Sequence, residues 1–140
     1  MPEVSVSLVA VLVASVVGYV VGFVWHMALG KQWAKLSGIT PAKMKEMKKN
    51  MTATAYVGQF VLTVVMAFVL ANMLAFAQAE TSLEATMGAF WLWLGFVATV
   101  LAADVLWKKE PIGLFGINAG FYLVMLVVMA NVILMTPPLF

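Results

Sequence analysis

Long apolar stretches broken by short charged clusters dominate the hydropathy pattern of the chain. Charge-free windows run from Val4 to Gly30, Asn50 to Ala79, Ala85 to Ala103 and Pro111 to Phe140. About 20 apolar residues carry a helix across the hydrocarbon, whereas spanning strands would show alternating segments of about ten residues. The pattern predicts an all-α membrane protein, a bundle of four transmembrane helices near residues 4–29, 53–78, 87–107 and 113–135. Residues 1–140 form a single membrane domain, with a basic loop over 30–52. No Lys or Arg precedes the first apolar run, "MPEVSVSLVAVLV", so that segment is expected to remain as a span rather than act as a cleaved signal.

Composition agrees with the pattern. The chain is 64% hydrophobic and only 10% charged, against about a quarter charged in soluble domains. A water-soluble fold of this size would leave much of that apolar surface in water. All eight positive charges are Lys and none is Arg. Arg is the residue suited to forked phosphate and base contacts, so nucleic acid is an unfavourable partner. Cysteine is absent, which removes disulfides and thiolate chemistry.

Charge distribution then predicts an orientation. Residues 31–49 carry six Lys and one Glu, residues 108–110 are Lys108, Lys109 and Glu110, and residues 79–86 carry only Glu80 and Glu84. Lys-rich loops stay cytoplasmic. This is the pattern of a multi-pass protein of the cell's inner membrane, with both termini outside. Within the first basic loop, Thr40 and Pro41 make a helix start. Met44, Met47 and Met51 then alternate in face with Lys45, Lys48 and Lys49. A short amphipathic helix in the head-group layer follows, with Lys43, Lys45, Lys48 and Lys49 as its contacts to membrane lipids.

Spans in lipid associate through close backbone approach and polar contacts. The first span repeats Ala14, Gly18, Gly22, His26 and Gly30 at four-residue spacing. Gly95, Thr99 and Ala103 in the third span, Gly116 and Gly120 in the fourth, and Ala67, Ala71 and Ala75 in the second are similar. These are the expected packing positions. Four short spans enclose little interior, which makes a homo-oligomer plausible as the assembled form.

Polar residues cluster towards the lysine-bearing ends. His26, Asp104 and Asn118, with Tyr56, Gln59 and Thr63 on one face of the second span, all lie in that half. An ionisable group deep in the hydrocarbon costs about 2.5–3.5 kcal/mol on insertion scales and calls for a partner. His26 with Asp104 would form a proton-responsive pair. The bland alternative pairs Asp104 with Lys108 at i+4 and leaves His26 at the interface beside Trp25. Nearer the other side, Asn72 and Asn131 are expected to serve packing through interhelical hydrogen bonds.

The sequence contains one His and lacks a two-histidine zinc pair, a di-iron signature, a phosphate loop, a nucleophile elbow and a dinucleotide fingerprint. No catalytic or metal residue and no cofactor is therefore expected. The leading expectation is a non-enzymatic bundle with a structural, lipid-interacting or partner-binding role. The alternative is a subunit of a transporter or channel of unknown ion or small-molecule substrate, with His26, Gln59, Asp104 and Asn118 as an inner polar site. A membrane enzyme acting on a lipid or quinone has the least support.

Three stretches carry a family resemblance: "GFVWHMALGKQWAKLSGIT" at 22–40, "FWLWLGFVAT" at 90–99 and "KEPIGLFGINAGFYLVMLVVMANVI" at 109–133. In order and spacing the chain resembles the membrane family called domain of unknown function 1761, DUF1761. The resemblance implies a small four-span protein and supplies no catalytic residue. That family's first motif has an aromatic after Trp25 and a Pro–Leu–Phe–Gly ending. Here His26 and Ala28–Leu29–Gly30 stand instead, so no role for His26 is inherited.

Overall fold

A computed structural model describes residues 6–50 and 52–136. Its helices are α1 (Leu8–Leu36), α2 (Pro41–Lys49), α3 (Ala53–Phe76), α4 (Ser82–Trp93), a π-helical turn (Leu94–Ala98), α5 (Thr99–Trp107) and α6 (Ile112–Met135). No strand occurs among the described residues. Four continuous helical segments, 8–36, 53–76, 82–107 and 112–135, are long and apolar enough to cross a membrane. The chain is a multi-pass, all-helical membrane protein.

Two boundaries move from the expected ones. Helix α1 continues to Leu36, seven residues past the expected end at 29, so much of the basic loop over 30–52 is helical. Charge ends the apolar window, but Lys31, Gln32 and Lys35 are good helix formers and nothing there breaks the backbone ladder. The break comes at Gly38, whose φ of 76° closes the helix. The Ile39 amide then donates to Ala34 at 2.9 Å and Gly38 to Lys35 at 3.3 Å, the reverse-turn cap that satisfies the last carbonyls. At 29 residues, α1 is about 43 Å long, so it extends well beyond a hydrocarbon layer of about 30 Å. The third span starts at Ser82 rather than 87, because Thr81 caps it: its hydroxyl accepts from the Glu84 amide and donates to the Glu84 carboxylate.

Helix α2 starts as expected, with Thr40 accepting from the Lys43 amide and Pro41 in the first turn. It buries none of its residues. Met51 lies outside the described residues, so the expected methionine row is followed only at Met44, half-buried, and Met47, exposed.

Helix α6 is the centre of the bundle, packing on α1, α4 and α3, while α1 also packs on α3. Small residues line the shared interior: Ala14 and Gly18 from α1, Ala67 and Ala71 from α3, Ala85 and Ala89 from α4, and Ala130 from α6. Leu70, Leu74, Met125, Leu126 and Met129 fill the space between them. Gly18 is the tightest point, because a Cβ there would sit 2.6 Å from Met129 Sδ and 3.5 Å from Thr63 Cγ2. Gly22 approaches Phe121 and Gly120 approaches Trp25 at ordinary contact distance. Gly95, Gly116 and Gly30 would meet nothing within 4 Å.

The π turn explains why Gly95 and Thr99 lie on the exposed side of the third span. Residues facing the bundle are Ala85, Ala89 and Trp93, then Ala98, a spacing of four, four and five. A π turn carries one more residue than an α turn, so it absorbs the extra position and shifts the packing row by one. The i, i+4 row of Gly95, Thr99 and Ala103 therefore turns outward at Gly95 and Thr99. Trp93 secures the junction by donating its indole N–H to the Ala119 carbonyl of α6 at 2.8 Å.

Candidate functional site

Two of the polar residues expected to converge do so. His26 of α1 and Asn118 of α6 line one crevice with Trp25, Leu29, Gly30, Trp33, Ile117 and Phe121. Its volume is about 10 Å³, the room of roughly one oxygen atom with its hydrogens. The Trp25 ring lies at ordinary contact distance from Gly120, and Phe121 stands beside the Trp25 and His26 rings. The centroid separations from Phe121 are 6.2 Å to Trp25 and 5.4 Å, edge-on, to His26.

The hydrogen-bond roles around the crevice are constrained. His26 Nδ1 lies 2.7 Å from the Gly22 carbonyl. A carbonyl only accepts, so Nδ1 carries the hydrogen, and in the neutral ring Nε2 is the free acceptor. Trp25 Nε1 is the one buried side-chain nitrogen or oxygen without a hydrogen-bond partner among the described residues. A buried, unpaired donor costs about 1–3 kcal/mol, which makes this indole a point of stored polarity inside an apolar wall. The i, i+4 periodicity highlighted His26 but not Trp25, since a Trp near a span end is ordinarily read as an interfacial anchor.

The remaining candidates are elsewhere. Gln59 of α3 is exposed, and its backbone carbonyl accepts from the Thr63 hydroxyl at 2.8 Å. Tyr56 is exposed and stacks on Phe23, and its carbonyl accepts from the Tyr19 hydroxyl at 3.0 Å. Asp104 of α5 pairs with Lys108 at 3.6 Å, the i, i+4 arrangement, and no ion pair joins it to His26. The proton-responsive His26–Asp104 pair is thus replaced by two separate arrangements, and the four-residue vestibule narrows to His26 and Asn118. The physical reason is that α5 packs on α6, whereas the crevice lies between α6 and α1.

An exposed ion pair of this kind is worth about 0.2–1 kcal/mol. Asp104→Asn is accordingly expected to leave the thermal midpoint of the detergent-solubilised protein within a degree or two. A large loss would mean that Asp104 has a buried partner.

At the end away from the lysines, Asn131 ties α6 to α4. Its carboxamide accepts from the Ser82 hydroxyl and donates to Thr86 Oγ1 at 3.1 Å and to the Val127 carbonyl at 2.9 Å. Asn72 bonds only within its own helix, to the Phe68 carbonyl. The described residues contain no cluster of three or more His, Cys, Asp or Glu side chains able to hold a metal ion.

The profile of one family, the protein of unknown function DUF1761, matches residues 9–134. The chain belongs to the DUF1761 family. Comparison with curated proteins gives no match, and comparison with solved structures gives none. The matched residues take in the four DUF1761 spans apart from Leu8 and Met135 at their outer ends, the basic helix α2 and every residue of the α1–α6 crevice.

Proposed function

We propose that this DUF1761 protein is a non-enzymatic, lipid-interacting bundle whose basic helix α2 grips the anionic head groups of the cytoplasmic leaflet of the inner membrane. The observation that carries the reading is α2 itself. It presents Lys43, Lys45, Lys48 and Lys49 against a single Glu46, and every one of these side chains is exposed. A groove of about 400 Å³ lies between it and the start of α3, lined by Lys43, Glu46, Met47, Asn50, Thr52 and Ala55. Lysine stems along such a groove can reach phosphates while the methionines turn towards the acyl boundary. Lys31 and Lys35 on the last turns of α1 and Lys108 and Lys109 after α5 add charge at the same end of the bundle.

Native mass spectrometry of the protein ejected from nanodiscs of mixed phosphatidylglycerol and phosphatidylcholine tests this. Juxtamembrane lysines contribute about 1 kcal/mol each towards an anionic surface. The combined change of Lys43, Lys45, Lys48 and Lys49 to Gln is expected to lower retained phosphatidylglycerol at least about tenfold relative to phosphatidylcholine. Equal retention by the two proteins would defeat the reading. Since the chain has no cysteine, orientation can be read with single thiols. Lys45→Cys should react only from the cytoplasmic side and Glu80→Cys only from the other.

A further inference from the structure

Helix α2 has two unlike sides. Lys45, Lys48 and Lys49 recur at i, i+3 and i+4 and share one of them. Lys43, Glu46, Met47 and Asn50 recur at i, i+3, i+4 and i+7 on the other, and these four line the α2–α3 groove with Thr52 and Ala55. The groove therefore holds one ammonium and one carboxylate, and its formal charge is zero. A helix that served only to attract anions would gain nothing from a carboxylate on that side. Neither charge is neutralised within the chain. Among the described residues the ion pair is Lys108 with Asp104, and Lys43 makes its hydrogen bond to Thr40 through the backbone amide. Opposite charges on one helix side, exposed and not paired with each other, suit a ligand that carries both signs.

A second observation lies one turn further along α3. Gln59 is four residues after Ala55, on the same side of the helix, and it is exposed. Its backbone carbonyl accepts from Thr63, but its carboxamide has no hydrogen-bond partner among the described residues. An amide facing hydrocarbon without a partner is costly, so an acceptor from the lipid belongs beside it. Gln59 lies six residues into α3, about 9 Å from its start, where a flexible side chain reaches back towards the ester carbonyls at the border of the hydrocarbon. Leu62 and Val69 continue the same side at i+7 and i+14 from Ala55, and both are exposed, a track for an acyl chain.

We infer that the groove and the α3 surface below it form a site for one glycerophospholipid whose head group carries both a phosphate and a primary ammonium. Lys43 donates to the phosphate, Glu46 accepts from the ammonium, Gln59 donates to an ester carbonyl, and an acyl chain lies along Leu62 and Val69. The site rests on the placement of α2 among head groups. It uses the groove side of that helix, however, and takes a different head group from the one that the outer lysines attract. Phosphatidylcholine satisfies Lys43 and Gln59 but brings no N–H for Glu46. Phosphatidylglycerol brings no cation.

The test is native mass spectrometry of the whole protein ejected from nanodiscs of equal phosphatidylethanolamine and phosphatidylcholine with matched acyl chains. The parent should retain phosphatidylethanolamine about threefold over phosphatidylcholine, the effect of one exposed ion pair, and Glu46→Gln should bring the ratio to about one. Lys43→Gln and Gln59→Leu should lower retention of both lipids alike, since both carry the phosphate and the ester. Helix α2 buries none of its residues, so the changes at Lys43 and Glu46 should keep the fold. Equal retention by the parent, or a Glu46→Gln variant that keeps the preference, would overturn the site. Soluble glycerophosphoethanolamine, added to the protein in phosphatidylcholine nanodiscs, should give no adduct; an adduct would overturn the lipid in favour of the free head group. The preference should survive the combined change of Lys45, Lys48 and Lys49 to Gln. Phosphatidylglycerol retention in that variant reports on the outer lysines and the ethanolamine preference on the groove, so either reading can fail without the other.

Discussion

Gly18→Val should destabilise the bundle by about 2–3 kcal/mol, measured by steric trapping in bicelles or by titration with sodium dodecyl sulfate. Overpacking a closed interior typically costs about 1–3 kcal/mol, and this position has little room to relax. A Cβ at residue 18 would stand 2.6 Å from Met129 Sδ and 3.1 Å from Met129 Cγ, with Thr63 Cγ2 at 3.5 Å. Methionine is the most adaptable of core side chains, but Met129 is wholly buried and Thr63 is 1% exposed. Neither can swing into lipid. The first response is therefore separation of α1 from α6 and α3, which forfeits dispersion contacts along the seam. In lipid those contacts are the main attraction between helices.

A second substitution makes the test specific. Met129→Ala alone removes packed volume and should itself destabilise. Placed in the Gly18→Val background, it makes room for the new methyls. The double variant should be more stable than the sum of the single losses by at least about 1 kcal/mol, a coupling typical of residues in contact. Strict additivity would show that Gly18 is not a point of close approach.

Deleting one residue from a transmembrane helix should be far more damaging in α6 than in the third span. Removing Val124 rotates one half of α6 by about 100° against the other and shortens it by about 1.5 Å. Ala119 would then be out of phase with Met125, Met129 and Ala130, all of which are buried. Membrane assembly is marginal on the usual scale of about 5–15 kcal/mol, and so large a loss should leave no folded population. Removing Gly95 should have the opposite outcome. Trp93 and Ala98 are five residues apart yet share the packed side, because Leu94–Ala98 form a π turn. With Gly95 deleted they become four apart, and an ordinary α turn holds them in register.

Gly95 is also exposed, and a Cβ there would touch nothing. The Gly95 deletion should remain within about 1 kcal/mol of the parent, the range of a mild surface change. Far-ultraviolet circular dichroism with gel filtration in detergent compares the two deletions directly. Equal damage from both would rule out the π turn as the device that keeps α5 facing α6.

Membrane residence and helix number were legible in the sequence because both follow from solvent. A backbone in hydrocarbon must satisfy its own hydrogen bonds, so an apolar window of sufficient length is a helix whatever its neighbours do. The start of α2 was legible for a local reason, since Thr40 and Pro41 need only the next turn to act as a cap. Helix ends were less so. The window ended at the lysines, but the α1 backbone responded to the next glycine able to adopt φ of 76°.

The candidate site was legible only in part. His26 and Asn118 stood out as polar residues at a shared depth, and depth is a one-dimensional property that counting along the chain recovers. Which side of each helix they occupy relative to the others depends on rotation about the helix axis. Weak amphipathic patterning of spans that are apolar all round does not set that rotation. Packing of small residues sets it instead. Gly18 against Met129 brings α1 to α6, while the π turn directs α5 to α6 rather than to α1. Asp104 was consequently left with Lys108, and the buried Trp25 indole emerged where only an anchor was expected. The sequence determined the number of crossings and the depth of each polar group, because those depend on the chain and its solvent alone. Tertiary structure decided which of those groups meet, because that depends on helix rotation and close approach between residues far apart in the chain.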